Sequence, residues 1–314
     1  LTRHSLRDGV FFYRYFKEMY FNRDTVLFLN GQWLKATEAM GDLFSQTLHY
    51  GNGVFEGMRA YETAEGPHIF KATEHLQRLK ASAAKIYIDL PYEVEELQEI
   101  AYQLLKKNGM RNAYIRPLVY MGANMKLTST NDVYLLMAAW EWGRYLGNGL
   151  LKVMVSSYEK HSPKALPVDA KICGNYTNSI LATMEAKSKG FDEALILDHQ
   201  GYVAEGPGAN FFYEKDEILY TPPLGNILPG ITRATIIEYA EEMGYKVVEK
   251  LFKPEELTEA DAAFFTGTAA EVAGIKSIGG HDFPMEWEDT VAYSLFLMYR
   301  QRVANNEFRD FTLV

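Results

Sequence analysis

The sequence predicts an α+β protein of two domains, and three observations carry that prediction. A chain of 314 residues is long for one domain and ordinary for two. β-rich runs alternate with amphipathic helical stretches along it, with no internal repeat or low-complexity tract. Residues 143–149 hold three glycines and no apolar period, which marks a break between two halves. The expected division is a small N-terminal domain over 19–142, a linker over 143–149 and a larger C-terminal domain over 150–314. Residues 1–18 are basic and aromatic and read as an upstream extension or expression remnant, with Met19 as a natural start. They lack the uninterrupted apolar stretch and small-residue cleavage site of a secretory signal.

In the first half, residues 25–30 are β-rich and end at Asn30-Gly31, a hairpin-turn dipeptide. Residues 74–86 and 93–108 read as helices. In the second of these, Val94, Leu97, Ile100, Ala101, Leu104 and Leu105 recur at helical spacing. Acids crowd its start, Lys106 and Lys107 its end, and Gly109 is placed to cap it. Two apolar β runs follow, 113–121 and 133–140. In the second half, 151–157 reads as a strand and 178–189 as a helix stopped by Gly190. Strands are expected at 193–198, 202–205 and 210–213, then a helix over 231–243 closed by Gly244. Strands at 247–250, 262–266 and 272–278 precede a last helix over 289–303.

Composition narrows the chemistry. A net charge of −9 without a basic stripe argues against nucleic acid as a partner. The single cysteine, Cys173, excludes an intramolecular disulfide framework and a cysteine-held zinc. No apolar run approaches the roughly 20 residues of a membrane span, so a soluble, cytoplasmic protein is expected. The seven histidines are scattered without metal-ligand spacing, and no metal is expected. The glycine-rich run at 51–57 is one residue too long for a dinucleotide fingerprint, and no Lys-Ser or Lys-Thr follows it as in a P-loop. Gly-x-Ser-x-Gly is absent, which leaves a nucleophile-elbow hydrolase unsupported.

What remains is a set of residues built around one lysine. Lys171 lies in the aperiodic run Asp169-Ala170-Lys171-Ile172-Cys173-Gly174-Asn175-Tyr176, just before a helix. Alone it reads as a surface lysine, as most are. Glu205, however, ends a strand and enters the tight Gly206-Pro207-Gly208 loop, a more rigid setting than a surface Glu needs. Leu228-Pro229-Gly230-Ile231-Thr232-Arg233 opens a helix and offers free backbone N–H groups to an anion. Thr266-Gly267-Thr268-Ala269-Ala270 ends another strand in a small-residue turn. A lysine, an acid, a tyrosine and two anion-ready turns are the parts that pyridoxal 5′-phosphate requires.

The chain resembles the branched-chain-amino-acid aminotransferases, members of the fold-type IV class of pyridoxal-phosphate enzymes. The resemblance runs from about Val26 to the last helix through LHYGNGVFEG, HLQRL, AYIRP, WGRYLG, AKICGNY, EGPGANFF, LPGITR and TGTAAE, in that order. It implies a C-terminal domain built on a β-barrel-like sheet flanked by helices. It also implies that Lys171 carries the cofactor as a Schiff base, that Glu205 faces the pyridine nitrogen and that Tyr176 lies near the ring oxygen. Arg78, with the turns at Ile231, Thr232 and Thr268, is implied for the phosphate. Tyr114 and Arg116, two apart on a strand and so on one face, are implied for substrate carboxylates with the Thr268 and Ala269 N–H groups. Arg59 is implied among the substrate-binding residues. Phe55, Trp142 and Tyr145 resemble the apolar side-chain pocket, although plain core packing is the alternative for such aromatics. Tyr50 is implied to reach the neighbouring subunit's site in a homodimer or an assembly of dimers. Departures from the pattern are Ala209, Pro207, Lys71 and a short stretch over 122–132.

The implied reaction is ping-pong transamination of leucine, isoleucine and valine with 2-oxoglutarate, in amino-acid biosynthesis. Amino acids and 2-oxo acids are then the small-molecule partners. Alternatives of the same class are a D-amino-acid aminotransferase, an (R)-amine transaminase and aminodeoxychorismate lyase, against which Tyr114-Ile115-Arg116 argues. A non-catalytic binding protein is the remote alternative, because a sensor has no use for Lys171, Tyr176 and Glu205 together.

Overall fold

The computed structural model describes residues 20–128, 130–143, 145–147 and 149–305. The extension expected at 1–18 lies outside them. Asn30 and Gly31 take φ angles of 46° and 87°. Two successive left-handed residues are what a two-residue type I′ hairpin requires, and they join β1 (Val26–Leu29) to β2 (Gln32–Lys35). A five-residue helix, α1 (Gln46–Tyr50), leads into β3 (Gly53–Phe55), β4 (Met58–Thr63) and β5 (Gly66–Ile69). Helices α2 (Ala72–Lys85) and α3 (Val94–Asn108) follow, then β6 (Ala113–Met121) and β7 (Val133–Trp140). At the start of α3 the Glu96 carboxylate accepts from the Glu93 N–H at 2.7 Å. At its end Gly109 adopts the left-handed cap at φ 63° that glycine makes without a Cβ penalty.

These seven strands form one antiparallel sheet in the order β2-β1-β7-β6-β4-β5, with β3 paired to β6. Side chains alternate across it. Ile115, Val119, Leu135 and Met137 turn one face toward Leu76, Leu79, Leu97 and Leu104 of the two helices. Tyr114 and Arg116 therefore point to the opposite face, where Tyr114 is paired with Trp140 across β6 and β7.

The second sheet is assembled from β8 (Leu151–Glu159), β9 (Glu193–Leu197), β10 (Val203–Glu205), β11 (Asn210–Lys215), β14 (Ala262–Gly267) and β15 (Glu271–Ile278). Their order is β10-β9-β8-β15-β14-β11, and β11 pairs back onto β10, so the six close into a ring. β12 (Ile218–Thr221) and β13 (Val247–Glu249) extend the sheet from β11, and β16 (His281–Asp282) pairs with β15. Val153, Leu195, Val203, Phe211, Phe265 and Ile275, one from each strand of the ring, form a single buried cluster that fills its interior. The alternate residues Phe212 and Phe264 face outward and pack against α5 (Ile231–Glu242) and α6 (Val291–Asn305). Helix α4 (Tyr176–Ser188) covers β8 and β9 from outside through Ala182 and Ala186. It starts two residues before the predicted 178, after a 3-10 turn at Cys173–Asn175. The two sheets meet at α6: Tyr299 packs edge-on against Phe70, which follows β5.

Among the described residues, no helix is long and apolar enough to cross a membrane.

Candidate active site

The site lies where the face of the first sheet that carries Tyr114 and Arg116 meets one end of the closed ring. Lys171 is placed there by backbone pairing as much as by α4. Its carbonyl accepts from the Phe55 N–H at 3.1 Å, its N–H donates to Ser82 Oγ at 3.0 Å, and Ile172 bridges to Val54. The run ahead of α4 is thus pinned to β3 and α2, which an aperiodic sequence does not reveal. Close passage is built in: a Cβ on Gly51 would lie 2.7 Å from the Gly174 Cα.

The Lys171 side chain is half-buried, and its Nζ donates to the Tyr176 hydroxyl at 2.7 Å. Burial lowers its pKa to about 8, and the Arg78 guanidinium adds to that fall. A large fraction of the amine is therefore neutral at mildly alkaline pH, as a nucleophile or base must be. Burial raises the Tyr176 hydroxyl to about 12, so it remains a protonated donor.

Glu205 stands at the end of β10, directly across from Asn210 on β11. Asn210 Nδ2 donates to its Oε2 at 3.0 Å, the Leu228 N–H donates to the same oxygen at 3.2 Å, and Lys160 forms an ion pair with Oε1. Gly230 is required beside it, since a Cβ there would fall 1.9 Å from Asn210 Oδ1. Gly230 also precedes α5, and no side chain caps that helix, so its first N–H groups face the cleft as a site for anions.

Arg78, from α2, reaches the same cleft. Its Nε and Nη2 donate to the two Glu56 oxygens at 2.6 and 3.0 Å, and its Nη1 donates to the Pro229 carbonyl at 2.8 Å. Glu56 and His75 are both buried, and His75 Nδ1 lies 2.8 Å from Glu56 Oε2. Burial pushes the Glu56 carboxyl upward, but facing Arg78 and His75 outweigh it and hold the group well below the usual carboxylate range. Burial conversely lowers His75, which Glu56 only partly offsets.

Arg78, Lys171, Tyr176, Glu205, Ile231, Thr232 and Thr268 all line one cleft, and so the structure brings together every residue expected around a cofactor. The donor set fits pyridoxal 5′-phosphate. A poised amine, a phenol and a fixed carboxylate line the cleft together with an arginine and an uncapped helix N-terminus.

A second cavity of about 580 Å³ opens from the same lysine, lined by Phe55, Tyr114, Arg116, Trp142, Tyr145 and Ala269 among others. Most of its lining is apolar: Phe55 packs edge-on to Tyr176, and Trp142 stands edge-on to both Tyr114 and Tyr145. Arg116 is the charge in that wall. It lies over the Phe55 ring at 4.6 Å, donates from Nη2 to the Tyr114 hydroxyl at 3.3 Å, and has a buried Nε with no acceptor among the described residues. A half-buried guanidinium with an unused donor suits an anionic ligand.

Two expected residues stand apart. Arg59 lines neither cavity, and its guanidinium donates to the carbonyls of Trp142, Gly143, Thr268 and Ala269. It braces the two turns that bound the site. Tyr50 lines neither cavity either; it is 49% exposed and donates to the Met125 carbonyl. Glu56, His75 and Lys160 are the site residues that sequence reasoning missed. Glu56 stood in the sequence only as a member of the glycine-rich run 51–57, with nothing to mark it as buried, and Lys160 gave no signal at all.

Comparison with known proteins adds to this geometry. The family model described as amino-transferase class IV matches residues 53–278. The branched-chain-amino-acid aminotransferase of Pseudomonas aeruginosa is 43% identical over 265 residues, which is 82% of this chain and 86% of that protein. The crystal structure of the branched-chain aminotransferase from Thermoproteus uzoniensis with norvaline matches at a TM-score of 0.85 and 37% identity, over 89% of this chain and 94% of that one. The branched-chain amino acid aminotransferase from Thermobaculum terrenum, crystallised in its PLP-bound holo-form, matches at a TM-score of 0.86 and 31% identity, over 91% and 96%.

Proposed function

The chain belongs to the class IV aminotransferases, and from that premise we propose that it transfers amino groups between branched-chain L-amino acids and 2-oxoglutarate with pyridoxal 5′-phosphate as cofactor. The products are branched 2-oxo acids and L-glutamate. The observation that carries this reading is the position of Lys171, between a polar cleft that ends at Glu205 and an apolar cavity that holds Arg116.

When bound, the cofactor supplies an aldehyde carbon and a ring that takes up the electron pair left at the substrate Cα. Lys171 would hold that group through its Nζ, and the same amine, with its lowered pKa, is the base placed to take up and give back the substrate Cα proton. The Tyr176 hydroxyl, 2.7 Å from Nζ, fixes where the amine sits. Glu205 keeps the pyridine nitrogen protonated, which makes the ring an effective electron sink. Arg78, the N–H groups of Ile231 and Thr232, and Thr268 hold the phosphate.

In the substrate cavity, Phe55, Trp142 and Tyr145 receive the branched side chain. Tyr114 and the N–H groups of Thr268 and Ala269 bind the carboxylate that every substrate shares. Arg116 answers a further requirement of the double reaction. The same cavity must accept leucine and then the second carboxylate of 2-oxoglutarate, and an apolar wall would reject an unpaired charge at a cost of several kcal/mol. Arg116 is the compensating charge, with Tyr145 and Tyr50 as hydroxyl donors. We assign Tyr50 to the site of a second subunit, in a homodimer working in the cytoplasm and in amino-acid biosynthesis.

The test is an assay of leucine with 2-oxoglutarate, with D-alanine and a chiral amine beside it. Turnover of leucine supports the reading, whereas turnover of D-alanine or the (R)-amine alone overturns it in favour of another fold-type IV activity.

A further inference from the structure

Glu56 lines neither cavity, yet it is the most heavily used carboxylate near the site. It is 0% exposed, in the turn between β3 and β4. It accepts from Arg78 Nε and Nη2, from His75 Nδ1 and from the Gly57 N–H at 3.1 Å. An ionised carboxylate is an acceptor only, so the proton of the His75 ring sits on Nδ1. His75 Nε2 is then an acceptor, and its neighbour at 3.4 Å is the Thr268 hydroxyl. Arg78 has five N–H groups, of which two go to Glu56 and one to Pro229, which leaves two for a ligand.

We propose that Glu56 is the positioning residue of the anion cradle, setting the Arg78 guanidinium directly and the Thr268 hydroxyl through His75. This rests on the proposed function for the identity of the anion, the phosphate of the cofactor. Glu56 connects three parts of the chain that meet only in the folded state: the β3–β4 turn, helix α2 and the turn after β14. A long arginine side chain has many rotamers, and the bidentate pairing with a rigid carboxylate removes them before the ligand arrives.

Charge alone makes the opposite forecast. Glu56 cancels the charge of Arg78, so its neutralisation raises the positive potential of the cradle and should tighten phosphate binding. Positioning predicts weaker binding. In Glu56→Gln the amide NH₂ must face Arg78 or His75, donor against donor, and one of them turns away.

The experiment measures, on the full chain, dissociation constants for pyridoxal 5′-phosphate and for pyridoxal from their absorbance changes. The pyridoxal constant divided by the pyridoxal 5′-phosphate constant isolates the phosphate contribution. In Glu56→Gln that ratio should fall at least tenfold, while pyridoxal itself changes less than threefold. A general structural defect would weaken both ligands alike, and a field effect would raise the ratio; either result overturns the proposal, as does an unchanged ratio. Should Glu56→Gln fail to fold, Arg78→Met and the double variant Glu56→Gln/Arg78→Met decide the matter, because the double variant leaves no unpaired buried charge. The two should share one ratio within threefold, and a further tenfold loss in the double variant would show that Glu56 does not act through Arg78. Inorganic phosphate, titrated calorimetrically, separates this from the wider reading. If the unaltered chain binds phosphate but neither pyridoxal compound, the proposed function fails, and the tenfold loss in Glu56→Gln is then read from phosphate alone. If it binds none of the three, both fall.

Discussion

Lys171 is the residue on which the chemistry turns, and its environment makes its behaviour measurable. Its pKa is lowered from 10.5 to about 8, chiefly by burial. Only the neutral amine attacks an aldehyde, and the neutral fraction rises with pH until it saturates above the pKa. The cofactor-free chain should therefore combine with pyridoxal 5′-phosphate faster as pH rises toward about 8 and level off beyond it. A rate still climbing above pH 10 would mean an ordinary exposed lysine. The Lys171→Ala variant should lose the visible band of the bound cofactor altogether. Arg116 carries a second residue-scale prediction. Removing one partner of a desolvated, hydrogen-bonded charge pair costs on the order of 2–5 kcal/mol, or roughly 30- to several-thousand-fold. Arg116→Leu should slow the 2-oxoglutarate half-reaction by about that factor in single-turnover spectra, and the leucine half-reaction far less. Equal losses in both halves would move Arg116 to the shared carboxylate.

At the scale of elements, the turn between β3 and β4 sets how closely the strands approach the substrate wall. A Cβ on Gly57 would lie 1.9 Å from the Tyr114 hydroxyl, and Tyr114 is buried, with Trp140 and Trp142 against its ring. Those rings hold the tyrosine on one side, so its hydroxyl can give way only toward the cavity that it lines. Overpacking of this kind costs typically about 1–3 kcal/mol and shifts the side chain it strikes. Gly57→Ala should therefore lower both half-reactions together, because Tyr114 serves the carboxylate common to all substrates. It should also reduce the melting temperature by several degrees. Loss confined to one half-reaction would count against the role given to Tyr114. Elsewhere an element is held by a single side chain. Asn108, at the end of α3, accepts from the Val26 N–H at 2.8 Å and donates to the Val26 and Leu104 carbonyls, and so ties the helix to β1. Asn108→Ala takes that side-chain partner from the Val26 N–H and carbonyl and should cost about 1–3 kcal/mol of stability, read from denaturant unfolding.

For the whole molecule, the question is what covers the surface around Tyr50. Met40, Leu43, Phe44 and Leu48 are exposed beside it, a concentration of large apolar side chains that a folded chain rarely leaves in water. A second subunit seated there would bring Tyr50 to the partner's substrate cavity. Mixing inactive Lys171→Ala chains with inactive Tyr50→Ala chains should then restore activity at one site per mixed dimer. No recovery after subunit exchange has been verified by native mass measurement would remove Tyr50 from the shared site.

The long elements were legible in the sequence because each has a periodic signal of its own. α3 announces itself by period, acidic start and Gly109, and β6 and β7 by apolar runs whose ends the structure reproduces at Ala113–Met121 and Val133–Trp140. The ordered motifs were enough to nominate Lys171, Glu205, Tyr176, Arg78 and the two turns. β3, β4 and β5 were not legible: they are three to six residues long, and β3 and most of β4 are buried on both faces, so no alternation appears. Nor could the sequence place Glu56 or Lys160, since a lone charge in a string is indistinguishable from a solvated one. Only the tertiary structure decided that Arg59 braces backbone while Arg78 faces the cleft, because two arginines on neighbouring elements differ by which carbonyls and carboxylates the fold carries to them. Sequence periodicity records which side of an element is apolar; the partner of a buried charge is fixed by long-range closure of the chain, and no local pattern encodes it.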